Sequence, residues 1–142
     1  MMQVRRGTYI LVVTLESPRT VRVGALGEHL FEAGTYVYVG SAMGGLDQRL
    51  NRHLAKEKTI RWHIDYLTTI CSRSEAFESY PEFVPECELA NVAERCGAIP
   101  EVRGFGCSDC DCFTHLFRAS DQIVDDIVRT CRLVPFRARI PL

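Results

Sequence analysis

The chain has no long apolar run. The longest, Tyr9 to Val13, covers five residues, against the roughly 20 a membrane-spanning helix needs. It has no excess of charge either: 17 Lys and Arg stand against 18 Asp and Glu, a net charge of −1, so no global field draws it to a polyanion. Internal repeats, low-complexity tracts and Pro/Gly-rich linkers are also missing, which argues for one domain over residues 1–142, large enough to fold around its own core. The basic start, Met1 to Arg6, precedes apolar residues, yet no small-residue cleavage site follows, so the expected location is cytoplasmic, with no membrane partner.

Charge and cysteine are both unevenly placed. Residues 1–60 hold eight Lys/Arg against five Asp/Glu, and Arg129, Arg132, Arg137 and Arg139 form a second basic stretch. Seven cysteines without an export signal should stay reduced, which favours metal binding, reactivity or burial over a disulfide framework.

The pattern of apolar residues reads as α+β, a small antiparallel β-sheet flanked by helices. Strands are expected over Gly7 to Leu15, Thr20 to Val23, Glu28 to Phe31, Thr35 to Val39, Cys71 to Glu78 and Phe113 to Arg118, where β-branched and aromatic residues cluster between turn residues. Helices are expected over Leu46 to Lys58, Arg61 to Thr69, Glu86 to Cys96 and Gln122 to Cys131. The first carries a stripe of Leu46, Leu50 and Leu54, and the third is preceded by Pro85 and stopped by Gly97.

Two short blocks, Gly7-Thr8-Tyr9 and Tyr38-Val39-Gly40, are followed by Arg49 and His53. Strand side chains alternate faces, so Tyr9 and Tyr38 share one if their strands are neighbours. Arg49 and His53 lie at i and i+4, one turn apart beside the leucine stripe. Two phenols, a guanidinium and an imidazole then reach one phosphate, and an acidic residue with a metal would complete a phosphodiester-cleaving set. Glu88 is the candidate acid. As a solvated helix edge instead, Arg49 and His53 would be balanced by Asp47 or Glu57.

These motifs resemble those of the GIY-YIG nuclease superfamily. The blocks from Gly34 to Ala42, Trp62 to Leu67, Glu86 to Ala90 and Gly104 to Leu116 are more narrowly similar to an uncharacterised prokaryotic branch of it, a domain of unknown function sometimes fused to a DNA glycosylase. The resemblance implies a metal-dependent endonuclease acting on DNA, in repair, with a functional link to such a glycosylase. It implies Tyr9 as general base or holder of the attacking water, and Tyr38 as the group orienting that water. Arg49 would stabilise charge on the phosphate, and His53 would bond the phosphate or assist proton transfer. Glu88 would bind Mg²⁺ or Mn²⁺. A tyrosine pKa of about 10 must fall for such a base to act, and Arg49 and the metal are expected to lower it. The interval between the tyrosine motifs exceeds the common pattern, and Thr20 to Phe31 fills it with an extra hairpin placed to reshape or cover the cleft.

Cys107, Cys110, Cys112 and His115 supply four candidate zinc ligands within nine residues, and Cys71, Cys87 or Cys96 could replace one of them. As small hydrophobes the same cysteines would pack under a Gly-rich loop. His63 and Asp65 could line the cleft or cap a loop. Arg52 and Arg103 are candidate nucleic-acid contacts, with Phe105 stacking on a base. Two other functions fit the same residues: a nucleic-acid-binding module with little cleavage, and a zinc-stabilised interaction domain.

Overall fold

Gly7–Leu15 (β1) holds Tyr, Ile, Leu and Val in succession and is buried along nearly its whole length. A strand apolar on both faces belongs in the middle of a sheet, and β1 pairs antiparallel on both sides. One neighbour is Gly34–Ala42 (β4) and the other Arg73–Ser79 (β5). Between β1 and β4 the chain makes a separate hairpin of Arg19–Arg22 (β2) and Glu28–Phe31 (β3). The structure, a computed structural model, describes residues 4–107 and 110–137.

The six-stranded sheet runs β6-β7-β4-β1-β5-β8, where β6 is Ile99–Pro100, β7 is Leu116–Arg118 and β8 is Val134–Phe136. Every pairing is antiparallel. Both edge strands contain a proline, Pro100 and Pro135, a residue that suits an edge because it has no N–H to give a ladder.

Helices cover both faces. Tyr9, Leu11, Val13, Tyr36 and Tyr38 meet Leu46 and Leu50 of α1 (Leu46–Leu54) and Leu67 of α2 (Asp65–Thr68), and the β2–β3 hairpin adds Val23 and Phe31. Ile10, Val12, Val37 and Val39 face Leu89 and Ala93 of α3 (Glu86–Arg95) and Val124 and Ile127 of α4 (Asp121–Cys131). Each fully buried side chain of this size contributes about 1.5–3 kcal/mol. The α+β architecture is the one expected.

Local differences have local causes. The first helix ends at Leu54 rather than Lys58 because Ala55 is extended. The Lys58 ammonium turns back and donates to the carbonyls of Arg52 and His53, at 3.0 and 2.6 Å, in the last turn, where carbonyls lack their full set of helical partners. The stretch expected as a helix over Arg61 to Thr69 is helical only at Asp65–Thr68. The buried Asp65 carboxylate accepts from the backbone N–H groups of Arg61 and Trp62, at 2.8 and 3.0 Å, and holds the preceding segment as a turn. At the start of α1, Arg5 donates to Glu78 at 2.7 Å and also pairs with Asp47. That pairing pins the helix entrance to β5.

Candidate active site

The β1–β4 register sets the floor of the site. Tyr9 stands opposite Gly40 and Leu11 opposite Tyr38, so both phenols share the α1 face, their ring centroids 6.4 Å apart. The Tyr9 ring lies directly on Gly40: a Cβ there would sit 2.5 Å from the tyrosine Cζ. Gly106 gives Tyr38 the same clearance, since a Cβ would meet its Cε1 at 2.8 Å. Gly40 and Gly106 are therefore room for the tyrosine rings.

Buried Leu46 and Leu50 seat α1 on the sheet, and this turns Arg49 and His53 over the phenols. The Tyr9 hydroxyl and His53 Nε2 are 2.7 Å apart. Arg49 donates to the Ser41 carbonyl at 3.0 Å and lies over the Trp62 ring, 4.4 Å from its centroid. These groups line a cleft of about 720 Å³ that also takes in His63, Glu86, Cys87 and Cys110. His63 Nδ1 accepts from the Gly106 N–H at 3.0 Å, fixing the loop that closes one wall. No residue of the β2–β3 hairpin lines this cleft, so the hairpin extends the core instead of covering the site.

The charges differ from expectation at Tyr9. It is 1% exposed, and burial raises its phenol well above the ordinary value, with Tyr38 adding to the rise and Arg49 opposing it. Losing water outweighs one guanidinium, so Arg49 does not by itself lower the tyrosine. Burial also raises Tyr38, with Glu86 adding to it. His53 is pushed down to about 3 by burial, with Lys58 next in effect, so its ring is neutral. The phenol keeps its proton, and a protonated phenol is a better donor than a neutral imidazole N–H, so Tyr9 donates to His53 Nε2. That assignment leaves the imidazole proton on Nδ1, which has no partner among the described residues.

The acid of the cleft is Glu86, not Glu88. Glu88 is exposed and lines a separate hollow with Asn91, Glu94 and Arg95. Side chains two apart on a helix point about 200° apart, and the buried stripe of Leu89, Ala90 and Ala93 aligns with Glu86 at i−3, i−4 and i−7. Burial alone would raise the Glu86 carboxyl. His115 and Ser41, with Arg49 beyond them, more than offset this and hold it below the usual range. Glu86 is thus an ionised carboxylate facing a guanidinium.

Two candidate nucleic-acid contacts are placed otherwise. Arg52 makes a two-pronged bond to the buried Asp65 carboxylate, at 3.0 and 2.9 Å, and also donates to the Thr59 carbonyl, so it serves the α1–α2 junction. Arg103 is exposed beside Phe113, 5.9 Å from the ring centroid, and is not among the cleft residues. Phe105 is fully buried and cannot stack on a base.

Beside the cleft, Cys87, Cys110, Cys112 and His115 bring their donor atoms within 4.8 Å of one another, an arrangement that could hold a metal ion. Cys107 is not in this group, and its thiol turns to the Phe105 carbonyl at 3.4 Å. Cys87, from the first turn of α3, takes the fourth place. His115 is fully buried. Its Nε2 is 3.5 Å from the Cys110 sulfur, and its Nδ1 makes a close contact with Glu86 Oε2 at 2.9 Å.

The chain belongs to the family described as Domain of unknown function DUF123, whose model matches residues 8–134. No curated protein and no solved structure matches it. Among the described residues no helix is long and apolar enough to cross a membrane.

Proposed function

We propose that the cleft is the active site of a metal-dependent endonuclease of the GIY-YIG type, hydrolysing phosphodiester bonds of DNA, with repair as its setting. The observation that carries the reading is the buried Tyr9–His53 hydrogen bond of 2.7 Å, opening on a cleft that holds Arg49 and Glu86. Phenol, imidazole, guanidinium and carboxylate are the parts that proton transfer and charge neutralisation at a phosphate require.

The donor set suits a hard divalent ion such as Mg²⁺ or Mn²⁺. Glu86 is held ionised, and these ions take one or two carboxylates while keeping several waters. When bound, the ion supplies positive charge to the phosphate and to the leaving oxygen. Glu86 would hold it.

The remaining work falls to the chain's own side chains. Arg49 donates to a phosphate oxygen and stabilises the charge that builds there. Tyr9 holds the attacking water through its oxygen and accepts the water's proton as its own passes to His53 Nε2, so no free phenolate forms. Burial first, then Lys58 with Arg49 and Arg52, suppresses the His53 cation at rest, with Asp65 opposing. An incoming phosphate carries the opposite charge and favours that cation, so the relay is primed by substrate. Tyr38 and His63 shape the wall against which the phosphate is oriented.

A catalytically weak binding module draws support from one observation: Tyr9 is so deeply buried that substrate must approach closely to use it. A single experiment separates the two. Single-stranded, duplex, flapped and abasic DNA are incubated with Mg²⁺ or Mn²⁺, using wild type, Tyr9→Phe, Glu86→Ala and Glu88→Ala. The nuclease gives products that fall at least about 100-fold in the first two variants and persist in Glu88→Ala. Binding without products under either ion overturns the enzymatic reading.

A further inference from the structure

We propose that Cys87, Cys110, Cys112 and His115 bind one Zn²⁺ ion, which ties the loop after β6 to the first turn of α3 and sets the orientation of Glu86. The binding site stands by itself, and the consequence for catalysis rests on the hydrolase reading above.

The geometry is nearly that of a tetrahedral site. With Zn–S of about 2.3 Å and Zn–N of about 2.0 Å, neighbouring donors lie about 3.5–3.8 Å apart. The four donors already fall within 4.8 Å of one another, and the Cys110 sulfur and His115 Nε2 are 3.5 Å apart. The three cysteines are only half-buried, which does not suit residues packing as plain hydrophobes. All seven cysteines are free thiols in the structure, so no disulfide competes for these three. Three soft sulfurs and an imidazole select zinc over Mg²⁺ or Ca²⁺, which prefer oxygen. Four protein ligands close the coordination sphere, the mark of a structural rather than a catalytic zinc site.

His115 supplies the link to the cleft. Its Nε2 faces the sulfurs and its Nδ1 faces Glu86 Oε2 at 2.9 Å. A metal on Nε2 obliges the ring to carry its proton on Nδ1. A carboxylate is the partner a zinc-bound histidine commonly has, and Glu86 Oε2 lies within reach of that proton but off the line of a formed hydrogen bond, so a small turn of the ring on metal binding would complete it. The zinc therefore fixes the His115 tautomer, and through it one oxygen of the cleft's acid. Glu86 and Cys87 are adjacent on α3, so ligation of one also constrains the other.

The full chain, purified under reducing conditions, is analysed for bound metal and then titrated with Co²⁺ after chelation. One zinc per chain is expected, with the intense visible bands of tetrahedral thiolate-bound cobalt. Cys87→Ser and Cys112→Ser lose the stoichiometric metal, and Cys107→Ser keeps it. Because a variant can fail to fold, thiol alkylation of the wild type gives an independent readout. Cys87, Cys110 and Cys112 are protected until a chelator is added, while Cys107 reacts with or without it. Glu86→Gln keeps the stoichiometry and weakens zinc affinity at least about 10-fold. A folded wild type that holds neither zinc nor cobalt overturns the proposal, as does protection of Cys107 in place of Cys87. Unchanged affinity in Glu86→Gln overturns the link to the cleft. Zinc present with no cleavage of any DNA upholds this site and refutes the hydrolase instead.

Discussion

Gly40→Ala tests the site's packing most directly, because propensity and structure give it opposite signs. A glycine inside a strand weakens it, so adding a methyl group to β4 should stabilise the sheet if backbone preference decided. The new Cβ would sit 2.5 Å from Tyr9 Cζ and 3.0 Å from its Cε2, whereas carbon atoms rest about 3.5–4.0 Å apart. The ring must therefore retreat by about 1 Å. It has little room: Tyr9 is 1% exposed, with the Tyr38 and His53 ring centroids 6.4 and 5.4 Å from its own. Overpacking of this kind costs about 1–3 kcal/mol. Loss of the 2.7 Å bond to His53 adds about 1 kcal/mol. Urea unfolding reads the sum as a midpoint lowered by about 1–2 M, for a slope of about 2 kcal/mol per M. Gly44→Ala is the control. A Cβ there meets nothing within 4 Å, and the change should stay within about 0.5 kcal/mol. A Gly40→Ala protein as stable as wild type would refute the close-packing account of the motif.

Two further outcomes follow from the charges. Arg52→Ala strands the buried Asp65 carboxylate and should cost about 3–5 kcal/mol of stability, measured by urea unfolding, while the salt dependence of DNA binding stays as in wild type. His53 is neutral in the fold with its pKa lowered to about 3, against about 6.5 unfolded. The unfolded chain therefore binds the extra proton between those values. This contribution to stability is whole above about pH 6.5 and falls as pH drops, by about 1.4 kcal/mol per unit, or about 2 kcal/mol by pH 5. In His53→Gln the loss of stability between pH 7 and 5 should shrink by that amount. An equal loss in both proteins would show that His53 is protonated in the fold.

What could be read from the sequence was set by short-range physics. The dense β-branched run of β1 and the leucine stripe of α1 reveal their elements because burial and periodicity are local. The shared face of Tyr9 and Tyr38 then needs only that two strands pair. β6 and β8 escaped because runs of two and three residues, each with a proline, carry no period. Glu86 was within reach: the stripe through Leu89, Ala90 and Ala93 selects it over Glu88 once the inner face of α3 is drawn. The role of Arg52 was not, and Cys87 stood only as one of three possible replacements among the zinc ligands. Their partners, Asp65 and the Cys110–His115 segment, lie in other parts of the chain, and only the folded turns bring them together.

Glu86 also decides how the two metal proposals constrain each other. A carboxylate has two oxygens, and His115 Nδ1 approaches Oε2 at 2.9 Å, leaving the other to serve the cleft. If the side chain only supported a zinc-bound histidine, its removal would weaken zinc and leave cleavage to the phenols and Arg49. Were it only a cleft ligand, its removal would abolish cleavage and leave zinc untouched. On the two proposals, a position between a fully buried imidazole and a guanidinium-lined cavity would give it both duties. Zinc removal should then weaken the activating Mg²⁺ or Mn²⁺ in the same sample, seen as a higher divalent concentration needed for half-maximal nicking. The added cation cannot itself restore the thiolate site, because oxygen-seeking ions bind sulfur poorly. A chelated protein that stays folded and keeps the same divalent requirement would separate the two sites and return Glu86 to a single role.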